Sequence, residues 1–181
     1  GMSMCCKILP ILAVFIAVVA RHSLAEVITY YPAPSQAKTS TDFTATVNGQ
    51  PLTIYKDARY YFIVFSMSGE VTMNVSWALP FNTAIVRPLS HQITPTVSGK
   101  SATFTFSGPR NISFESNDVY ADPQTVPALF IFANPLEVNV PSPDDPGVQY
   151  YGPGYHDIGA YNVTAAKKTI YFAGGAYVNG K

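Results

Sequence analysis

The stretch YYGPGYHDIGAYNVTAAKKTIYFAGGAYVNGK, residues 150–181, repeats one local pattern: a short apolar run, a glycine corner, a second short run. Val148–Tyr151 reads as a strand, Gly152-Pro153-Gly154 as a turn and Tyr155–Ile158 as a second short strand. Thr169–Phe172 reads as another strand, and Gly174-Gly175 turns the chain into Ala176–Val178, short strands between glycine corners at about twenty residues per circuit. That cadence predicts the coil of a parallel solenoid, in which each layer buries its apolar inside against the next. A lone layer leaves unpaired backbone groups and bare apolar side chains, so further layers are expected to follow, beyond Lys181. Its open apolar edge is expected at Ile170, Phe172, Tyr177 and Val178.

Working outward, Val138–Pro146 (VNVPSPDDP) packs three prolines and two acids into nine residues and cannot continue a central strand. The predicted boundary is a proline-rich linker over 141–147, between a first domain, 26–140, and the start of a second, 148–181. The first domain reads as all-β and as an antiparallel β-sandwich. Thr44–Val47 leads into Asn48-Gly49, a strong hairpin signal, and Leu52–Tyr55 returns from it. Tyr60–Phe65 is apolar on both faces, as a central strand is, and Ser68-Gly69 turns it into the alternating run Val71–Trp77. Further strands are expected at 84–88, 92–97, 102–106, 111–115 and 128–132. Short strands at this spacing, punctuated by Gly, Pro, Asn and Asp, suggest two sheets packed face to face.

Residues 1–25 read as a secretory signal. Met2–Lys7 is a short basic start, Ile8–Ala20 an apolar core, and Ser23-Leu24-Ala25 a small-residue cleavage site. Thirteen helical residues rise about 20 Å, short of a hydrocarbon core of about 30 Å, which argues against a membrane anchor. The mature chain is expected to be extracellular, with no membrane attachment after cleavage. Both cysteines, Cys5 and Cys6, fall inside the signal, so thiolate metal sites, disulfides and a cysteine nucleophile are ruled out for the rest. The 11 basic and 11 acidic residues balance, and without Lys7 and Arg21 of the signal the chain is slightly acidic, which gives nothing to attract nucleic acid. Asn74, Asn111 and Asn162 each begin an Asn-X-Ser/Thr acceptor for N-glycosylation.

The wording YYGPGYHDIG…KTIYFAGGAYVNGK resembles the entry into the helical domain of pectin-lyase-like glycoside hydrolases, where a "YF-GPG-H" strand and turn precedes an "IYIAPGAYVKG"-type strand. It is most similar to the dextranase and isopullulanase family, in which an N-terminal β-sandwich precedes a right-handed parallel β-helix. The resemblance is strongest over about the last 35 residues. It implies an enzyme that hydrolyses α-linked glucan with aspartates as acid and base and with no cofactor. It also places those aspartates on later coils, so no catalytic residue is expected in this chain. Gly174 departs from the family's usual proline at that corner.

Candidate chemistry within the chain is sparse. Asp144-Asp145 is the sole carboxylate pair, but glycosidic hydrolysis needs two carboxyls facing each other across the substrate at about 5–9.5 Å, so a solvated loop is expected. Tyr155, His156 and Asp157, beside the glycine turn, could touch sugar hydroxyls at the rim of a coil; the competing role for His156 is a hydrogen bond to backbone at the corner. Trp77 could stack on a sugar ring, although it shares parity with Val71, Met73 and Val75 and so belongs on the apolar face. His91 is the one other histidine after the signal, too few for a histidine metal site. Ser107–Arg110 and Gly99-Lys100 open no helix and read as hairpin turns rather than phosphate cradles. Two function classes follow: the non-catalytic front of a secreted polysaccharide hydrolase, reaching its polysaccharide through the full-length enzyme, or a stand-alone carbohydrate-binding or adhesion module. A structural matrix protein would carry repeats along its whole length, which this chain lacks.

Overall fold

The computed structural model describes residues 26–116 and 128–180. The signal segment, the stretch 117–127 and Lys181 lie outside the described residues. Fifteen strands are described in chain order: β1 Val27–Thr29, β2 Phe43–Val47, β3 Gln50–Leu52, β4 Tyr55–Asp57, β5 Tyr60–Ser68, β6 Glu70–Trp77, β7 Ala84–Arg87, β8 Thr96–Ser98, β9 Ser101–Ser107, β10 Arg110–Ser116, β11 Ala128–Pro135, β12 Val148–Tyr151, β13 Gly154–Gly159, β14 Thr169–Phe172 and β15 Ala176–Gly180. The chain is all-β; a single 3₁₀ turn, Leu89–His91, is the helical element among the described residues.

Two sheets form the sandwich. One runs β1-β5-β11-β10-β7, with β4 also on the edge of β5, and the other runs β3-β2-β6-β9-β8. Alternation along each strand drives this arrangement. In β6, Val71, Met73 and Val75 are buried while Glu70 and Thr72 face water; in β9, Ala102, Phe104 and Phe106 are buried against exposed Thr103 and Thr105. The inward sets meet in one core, where Phe104 of β9 stacks on Phe114 of β10 with ring centroids 6.1 Å apart, and Phe43 meets Tyr61 edge-on at 5.1 Å.

Polar bracing completes the sandwich. The Tyr61 hydroxyl donates to Asp42 Oδ2 at 2.5 Å and Lys56 Nζ donates to the same oxygen at 2.9 Å. These bonds, the tyrosine's first, hold the Asp42 carboxyl down at about 2. Across β7 and β10, buried Glu115 accepts from Arg87 Nε at 2.9 Å and from the Ser113 hydroxyl at 2.8 Å.

Pairing corrects several expectations. The first sheet is not wholly antiparallel, because β11 runs parallel to β5 through Leu129↔Tyr61 to Pro135↔Met67. Leu52–Tyr55 is not one returning strand. β3 pairs with β2, while β4 has crossed to the other sheet, where it pairs with β5 on one side and bonds the segment 38–40 on the other, Ser40 N–H to Ile54 O and Lys56 N–H to Lys38 O. Of Gln92–Val97 only Thr96 and Val97 lie in a strand, because Gln92 closes the 3₁₀ turn in a left-handed conformation. Gly99-Lys100 is a hairpin, as expected, but Ser107–Arg110 links β9 in one sheet to β10 in the other and is therefore a corner.

No strand lies between Pro135 and Val148. Beyond that gap, β12 pairs in parallel with β14, Val148 opposite Thr169, and β13 in parallel with β15, Gly154 opposite Ala176. The chain thus advances by 21 to 22 residues between one layer and the next. Two layers of paired strands are described where a single coil was expected. Like side chains stack across them: Tyr150 on Tyr171 at 5.2 Å, Tyr151 on Phe172 at 5.5 Å and nearly parallel, Tyr155 on Tyr177 at 6.0 Å. Neither β14 nor β15 has a second strand partner among the described residues.

Candidate binding pocket at the junction

The outward face of β5 sets the site. Tyr61, Ile63, Phe65 and Met67 point into the core, which forces Tyr60, Phe62 and Val64 outward, and no second sheet covers them: Tyr60 is 50 % and Val64 44 % exposed. Neighbouring strands extend this apolar surface. Tyr55 of β4 stacks on Phe62 with centroids 5.3 Å apart and planes 16° from parallel, and Phe132 of β11 meets Phe62 edge-on at 6.4 Å.

The closing layers face this surface. The turn Phe172–Tyr177 stands across from Tyr55, Phe62, Val64 and Ser66, with Asn134, Pro135 and Glu137 along one side, and together they enclose a pocket of about 490 Å³. Tyr31 also lines it. Its ring lies directly on the glycine corner, so that a Cβ at Gly174 would fall 2.0 Å from Tyr31 Cε2, and one at Gly175 would fall 2.8 Å from Tyr31 Cβ. Any side chain at position 174 would therefore displace Tyr31.

The electrostatics are simple. The Tyr171 hydroxyl donates to Glu137 Oε2 at 2.7 Å, and this bond to a carboxylate pushes the phenol up to about 12. Burial, then the nearby Tyr177, raises the Tyr55 phenol. The pocket is lined by aromatic rings, one carboxylate, an amide and a hydroxyl, without a lysine, arginine or histidine.

The residues expected to matter lie elsewhere. His156 Nε2–H donates to Gly152 O at 2.7 Å and its ring meets Tyr151 edge-on at 5.4 Å, a corner-bracing position. Tyr155 is half-buried beneath Tyr177, and exposed Asp157 accepts from the Gly159 N–H at 3.4 Å. Trp77 stands on the other sheet, stacked on Phe43 at 6.1 Å and packed on the core. Asp145 accepts the Ser142 N–H at 2.8 Å and caps a turn. Of the acceptor asparagines, Asn111 and Asn162 are exposed, whereas Asn74 donates through Nδ2 to Thr103 Oγ1 at 2.9 Å. Among the described residues no group of three or more His, Cys, Asp or Glu could hold a metal, and no helix is long and apolar enough to cross a membrane. Sequence reasoning missed Tyr31, Tyr55 and Phe62. The signal for Phe62 was present in the double-faced apolar run of β5; nothing local marked Tyr31.

No protein-family model matches the chain, and no curated protein does. Among solved structures, the fold is similar to Dex49A from Penicillium minioluteum, with a TM-score of 0.62 and 15 % sequence identity over 84 % of this chain. That likeness is one of fold, and the chain spans 44 % of the length of the protein it matches.

Proposed function

We propose that this chain is the N-terminal region of a secreted, dextranase-like glycoside hydrolase: a β-sandwich followed by the first layers of a right-handed parallel β-helix on which further layers stack, itself without catalytic residues. The observation that carries this reading is the in-register parallel pairing of β12 with β14 and β13 with β15, offset by 21 to 22 residues with aromatic residues stacked on aromatic, which is how a solenoid buries its side chains. The fold likeness to Dex49A over 84 % of this chain supports the same reading. In the whole enzyme the polysaccharide would be an α-glucan, cleaved by carboxylates on later coils.

The purified chain from Glu26 is expected to release no reducing sugar from dextran, pullulan or polygalacturonate. Release from any of them overturns the non-catalytic role. Expression in a eukaryotic secretory host is expected to put glycans on Asn111 and Asn162, the exposed acceptors, read by mass before and after glycosidase treatment.

A stand-alone carbohydrate-binding module is the second reading, and the aromatic junction pocket favours it. The two separate in gel filtration. Open ladders on β14 and β15, with Phe172 at 51 % exposure, predict self-association, whereas a finished module runs as a monomer.

A further inference from the structure

The enzyme's cleavage site, on the reading above, lies outside this chain, yet the junction pocket has the makings of a binding site of its own. We propose that it holds one or two residues of a neutral saccharide, separate from the cleavage site; this rests on the polysaccharide reading for the ligand class and on the pocket itself for the location.

Size, shape and charge each narrow the occupant. About 490 Å³ lies within the range of small-ligand sites, which concentrate at domain junctions and combine aromatic walls with a few polar groups. A pyranose has an apolar face of axial C–H groups and a girdle of hydroxyls. The rings of Tyr55, Phe62 and Tyr177, all in the lining, offer aromatic surface for that face. Around the edge, Glu137 is held in place by the Tyr171 hydroxyl and, with the Asn134 amide and Ser66 hydroxyl, provides acceptors and donors for sugar hydroxyls. Phosphorylated, sulfated or uronic sugars fit poorly, because the lining has no cation to meet their charge and Glu137 repels it.

The test is titration of the chain from Glu26 with isomaltotriose, maltotriose and trigalacturonate, by calorimetry and by NMR of the tyrosine rings. Saturable binding of a neutral trisaccharide but not of trigalacturonate is expected. Tyr177→Ala should weaken it at least tenfold and Tyr177→Phe should restore it. Phe62→Ser, an outward position on a sheet whose core is untouched, should weaken it similarly and guards against local unfolding by the first variant. Asp157→Asn, at the rim of the coil, should leave it unchanged. Absence of saturable binding by the folded chain overturns the proposal, and so does binding lost in Asp157→Asn but kept in Phe62→Ser. Neither result bears on the non-catalytic role, which the reducing-sugar assay decides separately.

Discussion

Substituting Gly174 by alanine probes the clamp between sandwich and closing layers. Gly174 is not among the residues with a left-handed backbone, so alanine carries no conformational penalty there, and the whole effect comes from its new methyl meeting the Tyr31 ring at 2.0 to 2.7 Å. The atoms struck are the far end of a rotatable side chain, so Tyr31 swings away. Tyr31 is 38 % exposed; of about 200 Å² on a tyrosine, roughly 120 Å² is covered, worth about 3 kcal/mol at most at ~25 cal/mol per Å². The glycine corner supplies part of that cover, so Gly174→Ala is expected to cost about 1–2 kcal/mol in urea unfolding. Tyr31→Ala should cost a similar amount, and the double variant no more than Tyr31→Ala alone, because the methyl then has nothing to strike. Hydrogen exchange should localise the loss to the amides of Ala173 and Ala176, which bond Tyr151 O and Ala173 O. Gly175→Ala behaves differently. Its φ of +82° costs about 1–2 kcal/mol for any other residue, and its clash is with Tyr31 Cβ, which Tyr31→Ala retains, so that change should not rescue it. Additive costs for Gly174→Ala and Tyr31→Ala, or a neutral Gly174→Ala, would refute the clamp.

Three further outcomes are expected. Because Asp42 titrates at about 2 when folded and near 3.8 when free, its contribution is complete above pH 4 and fades as pH falls toward 2; the half-exposed carboxylate keeps this below about 1 kcal/mol, and Asp42→Asn should flatten the acid limb of a stability–pH curve. Arg87→Ala strips the ion partner from buried Glu115 and should cost about 3 kcal/mol by chemical denaturation, while Arg87→Met with Glu115→Leu should recover much of it. Phe172→Ser should shift the gel-filtration profile toward monomer with little change in thermal midpoint, since that ring is half exposed in the single chain.

Strand positions were largely legible because burial on one face imposes a period of two. Val71, Met73 and Val75 announce their own direction, and Asn48-Gly49 adopts the paired positive φ that its hairpin demands, 49° and 80°. Partner choice was not legible. Nothing in β11 says that it lies parallel to β5, because register and neighbours follow from which inward sets fill the core together. The closing layers were readable from their glycines, yet the pocket they complete was not, since Tyr31 and Gly174 are remote in sequence and meet only through the fold. The residues singled out at the corner, Tyr155, His156 and Asp157, were visible because they are polar or aromatic beside a turn, a position that architecture alone also fills.

The place of β11 has a consequence for biogenesis. It is the last sandwich strand to leave the ribosome, yet it occupies the middle of its sheet, between β5 and β10. Until Ala128–Pro135 is synthesised, those two strands have a gap between them rather than a frayed margin, so the sandwich closes late and by insertion. A nascent chain stalled before that point would present two sticky strand edges at once, which makes this interval the one in which a holding chaperone has most to protect.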